Sequence, residues 1–141
     1  MYSRILVAVD GSEHSLKAAR TAAELAHLLS AQELRVVVAY DPIPPYLGEP
    51  NLQAAINARL NEAQKIMEKA LQAIGPLPEG LLRTEILEGP AAEAILKVAE
   101  THQSELIVMG SRGLGRLSGL LLGSQSQKVV QHARCPVLIV R

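Results

Sequence analysis

Half of the chain's ten glycines, Gly110, Gly113, Gly115, Gly119 and Gly123, fall within the fourteen residues from Gly110 to Gly123. Connections between elements of a compact domain usually run about 2–6 residues, so a segment this long calls for a reason. Glycine lets backbone N–H groups approach an anion with no Cβ in the way and tolerates the positive φ of a concave nest. The segment leads directly into Ser124-Gln125-Ser126-Gln127, where a serine followed three residues later by glutamine predicts a capping box with Ser124 at the helix start. A helix start aims free N–H groups and the positive dipole end at the same place. Ser111, Ser124 and Ser126 add hydroxyls, and Arg112 and Arg116 add positive charge. This is the chemistry of a phosphate site; the plainer alternative is a glycine segment that holds no ligand.

Other residue types narrow the reading. No GxxxxGK[ST] occurs, which excludes a P-loop. Gly113-Leu-Gly115-Arg-Leu-Ser118 comes near GxGxxG, but a dinucleotide fingerprint belongs after the first strand. There the chain has only Asp10-Gly11-Ser12. Asp10 is either a turn former before a helix or a carboxylate for chemistry. A phosphoacceptor domain would want a second acid beside Asp10, and none is adjacent. His14, His27, His102 and His132 lack metal-ligand spacing and fit surface or cap positions. Cys135 precedes Pro136 and reads as a buried, inert thiol. No Ser/His/Asp triad is legible.

Composition excludes more. Three tyrosines with no Phe and no Trp leave almost nothing on which to stack nucleobases. Fourteen basic and fourteen acidic residues cancel, so no global positive field awaits a polynucleotide. All the acids lie at or before Glu105, giving residues 1–105 a balance of −5 and residues 106–141 a balance of +5. A small anion is therefore better received by the last quarter, although scattered solvated charge would give the same count. No apolar run approaches the ~18 residues of a membrane span, and Met1–Val9 lacks a signal-peptide layout. One cysteine makes no internal bridge, which points to the cytoplasm. At 141 residues with 48% hydrophobic composition, the chain is expected to be one domain, 1–141.

The elements that must position these residues follow from periodicity. Ser3–Val9, Glu33–Ala39, Leu81–Leu87, Glu105–Met109 and Pro136–Val140 read as strands. Helical spacing of apolar residues marks 12–30, capped by Ser12, and 52–74, closed by Gly75-Pro76. Further helices are predicted from Pro90, at the first helical position, to His102 and from Ser124 to Ala133. Four prolines and a glycine keep 41–50 irregular; it is an ordinary connection or a lid carrying Tyr46. Apolar strands separated by helices predict a single-domain α/β fold, a parallel sheet covered on both faces.

The spacing Gly110-x2-Gly113-x9-Gly123-Ser124, with ILVAVDGSEHS at the start, ELIVMGSRG before the glycines and CPVLIVR at the end, resembles the universal stress protein family. The G-x2-G-x9-G-[ST] motif resembles its ATP-binding branch. That resemblance implies a five-stranded parallel sheet in the order 3-2-1-4-5, of the adenine nucleotide alpha-hydrolase-like class. It further implies that ATP and Mg are bound. Asp10 would lie by the phosphates and the metal, with Val9 beside it and the Ala39 backbone at the adenine. Met109 and Gly110 would line the ribose. Arg112, Gly113, Gly123, Ser124, Gln125 and Ser126 would form the phosphate side, Gln125 standing where the family commonly has a small apolar residue. Strand 136–141, terminal and apolar, would pair in a homodimer.

The leading expectation is thus a dimeric, ATP-binding regulatory protein with an adenine nucleotide as partner. It binds no nucleic acid or membrane, has no catalytic residues, and hydrolyses ATP slowly at most. A dimeric interaction module independent of nucleotide is the alternative. An enzyme that activates a substrate with ATP ranks last, because the first turn offers no glycine-rich pyrophosphate loop.

Overall fold

β-Branched and aliphatic runs supply the strands in the computed structural model: β1 (Arg4–Ala8), β2 (Glu33–Tyr40), β3 (Leu82–Glu88), β4 (Leu106–Gly110) and β5 (Val137–Val140). Between them come the helices α1 (Glu13–Leu28), α2 (Asn51–Ile74), α3 (Ala91–Thr101) and α4 (Ser124–His132). The structure describes residues 1–43, 48, 50–112 and 122–141. Gly113, Gly115, Arg116, Ser118, Gly119 and Tyr46 therefore lie outside the described residues.

The strands form one parallel sheet in the order β3-β2-β1-β4-β5, as expected. Central β1 pairs with β2 through Arg4–Glu33 to Ala8–Val37, and with β4 through Ile5–Leu106 to Val7–Val108. The chain thus travels outward from β1 in one direction through β2 and β3, then returns to build β4 and β5 on the other side. That reversal leaves a crevice at the carboxyl ends of β1 and β4, the place where open α/β sheets receive ligands.

Alternate strand residues serve two cores. Ile5, Val7, Leu34, Val36, Val38 and Val108 face the helix layer that contributes Ala18, Ala19, Ala22 and Ala26 of α1 with Ala63, Met67 and Ala70 of α2. Leu6, Ala8, Val37, Ile107 and Met109 face Ala92, Ile95 and Val98 of α3 and Val129 of α4. Burial of each of Ile5, Leu6, Leu34 and Ile107, all at 0% exposure, contributes about 1.5–3 kcal/mol. With two-sided burial the central strands need no polar face, which is why their sequences do not alternate.

Element bounds fall within two residues of those expected, but two helix starts differ. α4 is capped by Gly123, extended at φ −66° and ψ 159°, with no side-chain capping bond. The predicted Ser124 capping box does not form, because the Gly123 N–H is already held by the Ser111 carbonyl at 2.8 Å and sets the cap one residue earlier. Pro90 likewise precedes its helix as N-cap instead of opening it, its ψ of 134° being extended. The Ser12 cap is as read: its hydroxyl accepts from the Ser15 N–H at 3.2 Å.

Candidate functional site

The first turn of α1 grips three successive residues at the end of β4. Gly110 lies so near it that a Cβ there would stand 2.8 Å from the His14 carbonyl carbon and 2.9 Å from the Ser15 nitrogen. Only glycine permits that approach. Ser111, 3% exposed, shares a 2.9 Å hydrogen bond between its Oγ and His14 Nδ1. The Arg112 carbonyl accepts from Ser12 Oγ at 3.4 Å.

The start of α4 and β5 hold Gly110 and Ser111 from the other side. Ser126 Oγ donates to the Gly110 carbonyl at 2.9 Å, and Ser111 N–H donates to Val140 of β5 at 2.8 Å. Through Gly123 N–H and the Ser111 carbonyl, the two ends of the glycine segment are tied together. The amides of Ser124, Gln125 and Ser126 occupy a first helical turn, where an α-helix provides no acceptor of its own. α1 and α4 therefore both begin at this crevice, a concentration of partial positive charge suited to an anion.

Asp10 sits where β1 gives way to α1. Its Oδ1 accepts from the Ser12 N–H at 2.9 Å, the Asx turn that its sequence context allowed. Gly11 follows at φ +88°, with Ile66 of α2 packed over it. Val9 is buried and donates its N–H to Val37 at 2.9 Å. Ala39 is the penultimate residue of the neighbouring strand β2, in register with Leu87. Met109, buried, and Gly110 close β4 in register with Ile139 and Val140. Thus Val9, Asp10, Met109, Gly110, Arg112, Gly123, Ser124 and Ser126 converge, Ala39 lies one strand further along, and Gly113 falls outside the described residues. Gln125 reaches the crevice by its backbone and α3 by its side chain. Its Oε1 accepts from the Ala92 N–H at 2.9 Å, so its side chain caps α3 and only its backbone N–H belongs with the crevice.

Sequence reasoning missed His14, which it placed among surface or cap histidines. Only its place two residues after a helix cap could have drawn notice. It also missed a charged cluster at the opposite end of the sheet. Arg35, 7% exposed, contacts Glu33 at 3.1 Å and pairs with Glu85, whose Oε1 also meets His102 Nε2 at 3.0 Å. Near that end, a cavity of about 270 Å³ lies between α3 and α4, with Ser104 and Cys135 in its wall. Cys135 is half-buried where full burial was expected. Burial pushes its thiol above the ordinary range, partly offset by a hydrogen bond to its own backbone, so it is a poor nucleophile. Among the described residues no group of three His, Cys, Asp or Glu is placed to hold a metal, and no helix is long and apolar enough to cross a membrane.

A family model described as "Universal stress protein family" matches residues 1–141. The chain belongs to the universal stress protein family. A universal stress protein of Thermus aquaticus is 48% identical over 141 residues, covering 100% of both chains. The solved universal stress protein UspA of Lactobacillus plantarum superposes with a TM-score of 0.86 at 30% identity, covering 99% of this chain and 98% of that one. A universal stress protein crystallised in complex with cAMP matches at a TM-score of 0.67 and 30% identity, covering 99% of this chain and 97% of the other. The reversal in strand order and the crevice it creates are thus features of a universal stress protein fold.

Proposed function

We propose that the protein is an ATP-binding regulatory module, homodimeric through β5 and working in the cytoplasm, that hydrolyses ATP slowly at most. The observation that carries this reading is the crevice between Asp10 and Gly110, onto which the first turns of α1 and α4 converge. The cAMP complex of a neighbour at 30% identity supports an adenine nucleotide as the occupant.

The residues fit the nucleotide. Gly110 lets the first turn of α1 close up against the end of β4, which brings its start to the crevice, and the first-turn amides of α4 supply donors for phosphate oxygens. Mg²⁺ needs one or two carboxylates when phosphates provide the remaining ligands, and Asp10 is the carboxylate at the crevice. When bound, the metal would neutralise phosphate charge. Ala39 would meet the adenine through its backbone, where a main-chain donor and acceptor select a base without a charged side chain. Val9 and Met109 would supply apolar walls, and Arg112 charge at the phosphate side. Fast phosphoryl transfer also wants a positioned base or water-orienting group, for which Asp10 is the carboxylate candidate among the described residues of the crevice. Binding without rapid turnover suits a switch.

Calorimetric titration of nucleotide-stripped protein with Mg·ATP, with GTP as control, tests the reading. Micromolar binding of ATP alone is the expected result, accompanied at a hundredfold excess over Kd by about 2.7 kcal/mol of added stability. No heat and no thermal shift would overturn it in favour of a dimeric interaction module that needs no nucleotide.

A further inference from the structure

Most of the contacts around Ser111 are backbone bonds that any residue could make. The exception is its Oγ, which is buried and bonded at 2.9 Å to His14 Nδ1. The same residue's carbonyl receives Gly123 N–H, and its own N–H reaches Val140. Ser111 is therefore the junction of four elements: β4 before it, β5 beside it, the start of α4 through Gly123, and α1 through His14. The two flanking residues are also held by α1, Gly110 by close packing and Arg112 by Ser12 Oγ. Of these three grips, only that at Ser111 joins two side chains, so it alone depends on what residue occupies position 14.

We propose that His14 is a positioning residue: by fixing Ser111 it sets the stem where the glycine segment closes, and so tunes nucleotide affinity from the first turn of α1. This inference rests on the nucleotide reading above for its effect on affinity, but not for the latch itself. A serine whose hydroxyl has lost its partner is free to rotate and shift. The Ser111–Gly123 bond then opens more often, and the first-turn amides of α4 are less well aligned for an anion. Preorganised donors bind more tightly because less ordering remains to be done on binding.

Four variants test this: His14→Phe, which keeps a ring without nitrogen; His14→Asn, which returns a polar atom near the Nδ1 position; Ser111→Ala; and the His14→Phe/Ser111→Ala double. Amide exchange at Gly123 is followed in nucleotide-free protein, and Mg·ATP affinity by calorimetry. Losing one such hydrogen bond is expected to speed Gly123 exchange and weaken Mg·ATP about five- to tenfold in H14F and in S111A. The double variant should be no worse than either single, since both remove the same bond, and H14N should recover most of the loss. Unchanged Gly123 exchange in H14F and S111A, or additive losses in the double, would overturn the latch. If H14F does not fold, S111A against H14N decides the matter by the same exchange measurement. Should the wild type bind no Mg·ATP, the nucleotide reading fails while Gly123 exchange still decides whether His14 holds the stem.

Discussion

At the scale of single residues, the two ends of the glycine segment differ in what they demand. Gly110 is required by contact, because the atoms that a Cβ would strike belong largely to the α1 backbone and cannot rotate aside. Gly110→Ala should therefore cost about 1–3 kcal/mol, read as a lowered urea midpoint at unchanged slope. Ser124 presents the opposite case. It is exposed and caps nothing, so Ser124→Ala should change stability by less than about 0.5 kcal/mol. A capping serine would cost about 1 kcal/mol, and the same denaturation curves separate the two. If Ser124 contributes to nucleotide binding, its loss shows in titration and not in unfolding.

At the scale of elements, α3 and α4 are joined by an unusual cap. The N-cap of α3 is a proline with no side-chain bond to give, and Gln125 of α4 supplies the missing acceptor to Ala92. Gln125→Ala should lower stability by about 1 kcal/mol while leaving Mg·ATP affinity within a factor of two or so; thermal denaturation and titration of one sample check both. The elements were legible in the sequence because each central strand holds an unbroken run of three or more aliphatic residues and each helix repeats its apolar residues at helical spacing, as in the alanines of α1. The site was legible where glycine and serine spacing encodes backbone geometry. It was not legible where contacts join distant segments. Gln125 meets Ala92 across 33 positions, and Ser111 meets His14 across 97. Arg35 sits inside ELRVVVA as an apparent interruption of a buried strand, and only the pairing of β2 with β3 brings Glu85 within its reach. Local pattern fixes which residues lie in an element, whereas partners across the sheet depend on strand order.

At the scale of the whole molecule, the sheet has two edges that are treated differently. β3 carries charge along its outer course, at Arg83, Glu85 and Glu88, whereas β5 is wholly aliphatic and leaves Leu138 exposed at 37%. An uncharged edge invites pairing with another chain, and a lysine placed on it discourages that pairing. Leu138→Lys should shift the protein from dimer to monomer in sedimentation velocity, with its circular dichroism unchanged. A wild type that sediments as a monomer would refute the proposed interface.

The crevice unites residues about a hundred positions apart: Ser12 reaches Arg112, and His14 meets Ser111. A chain emerging from the ribosome at about 5–20 residues per second completes β1, α1, β2, α2 and β3 well before β4 exists. The first half can begin to order on its own local pairings, but it carries only one wall of the pocket. Contacts of such long sequence separation form late, because closing the intervening loop must precede any gain from them. The proposed nucleotide capture would then be a property of the finished fold, and a ligand present during synthesis would stabilise only molecules in which β4 and β5 had formed.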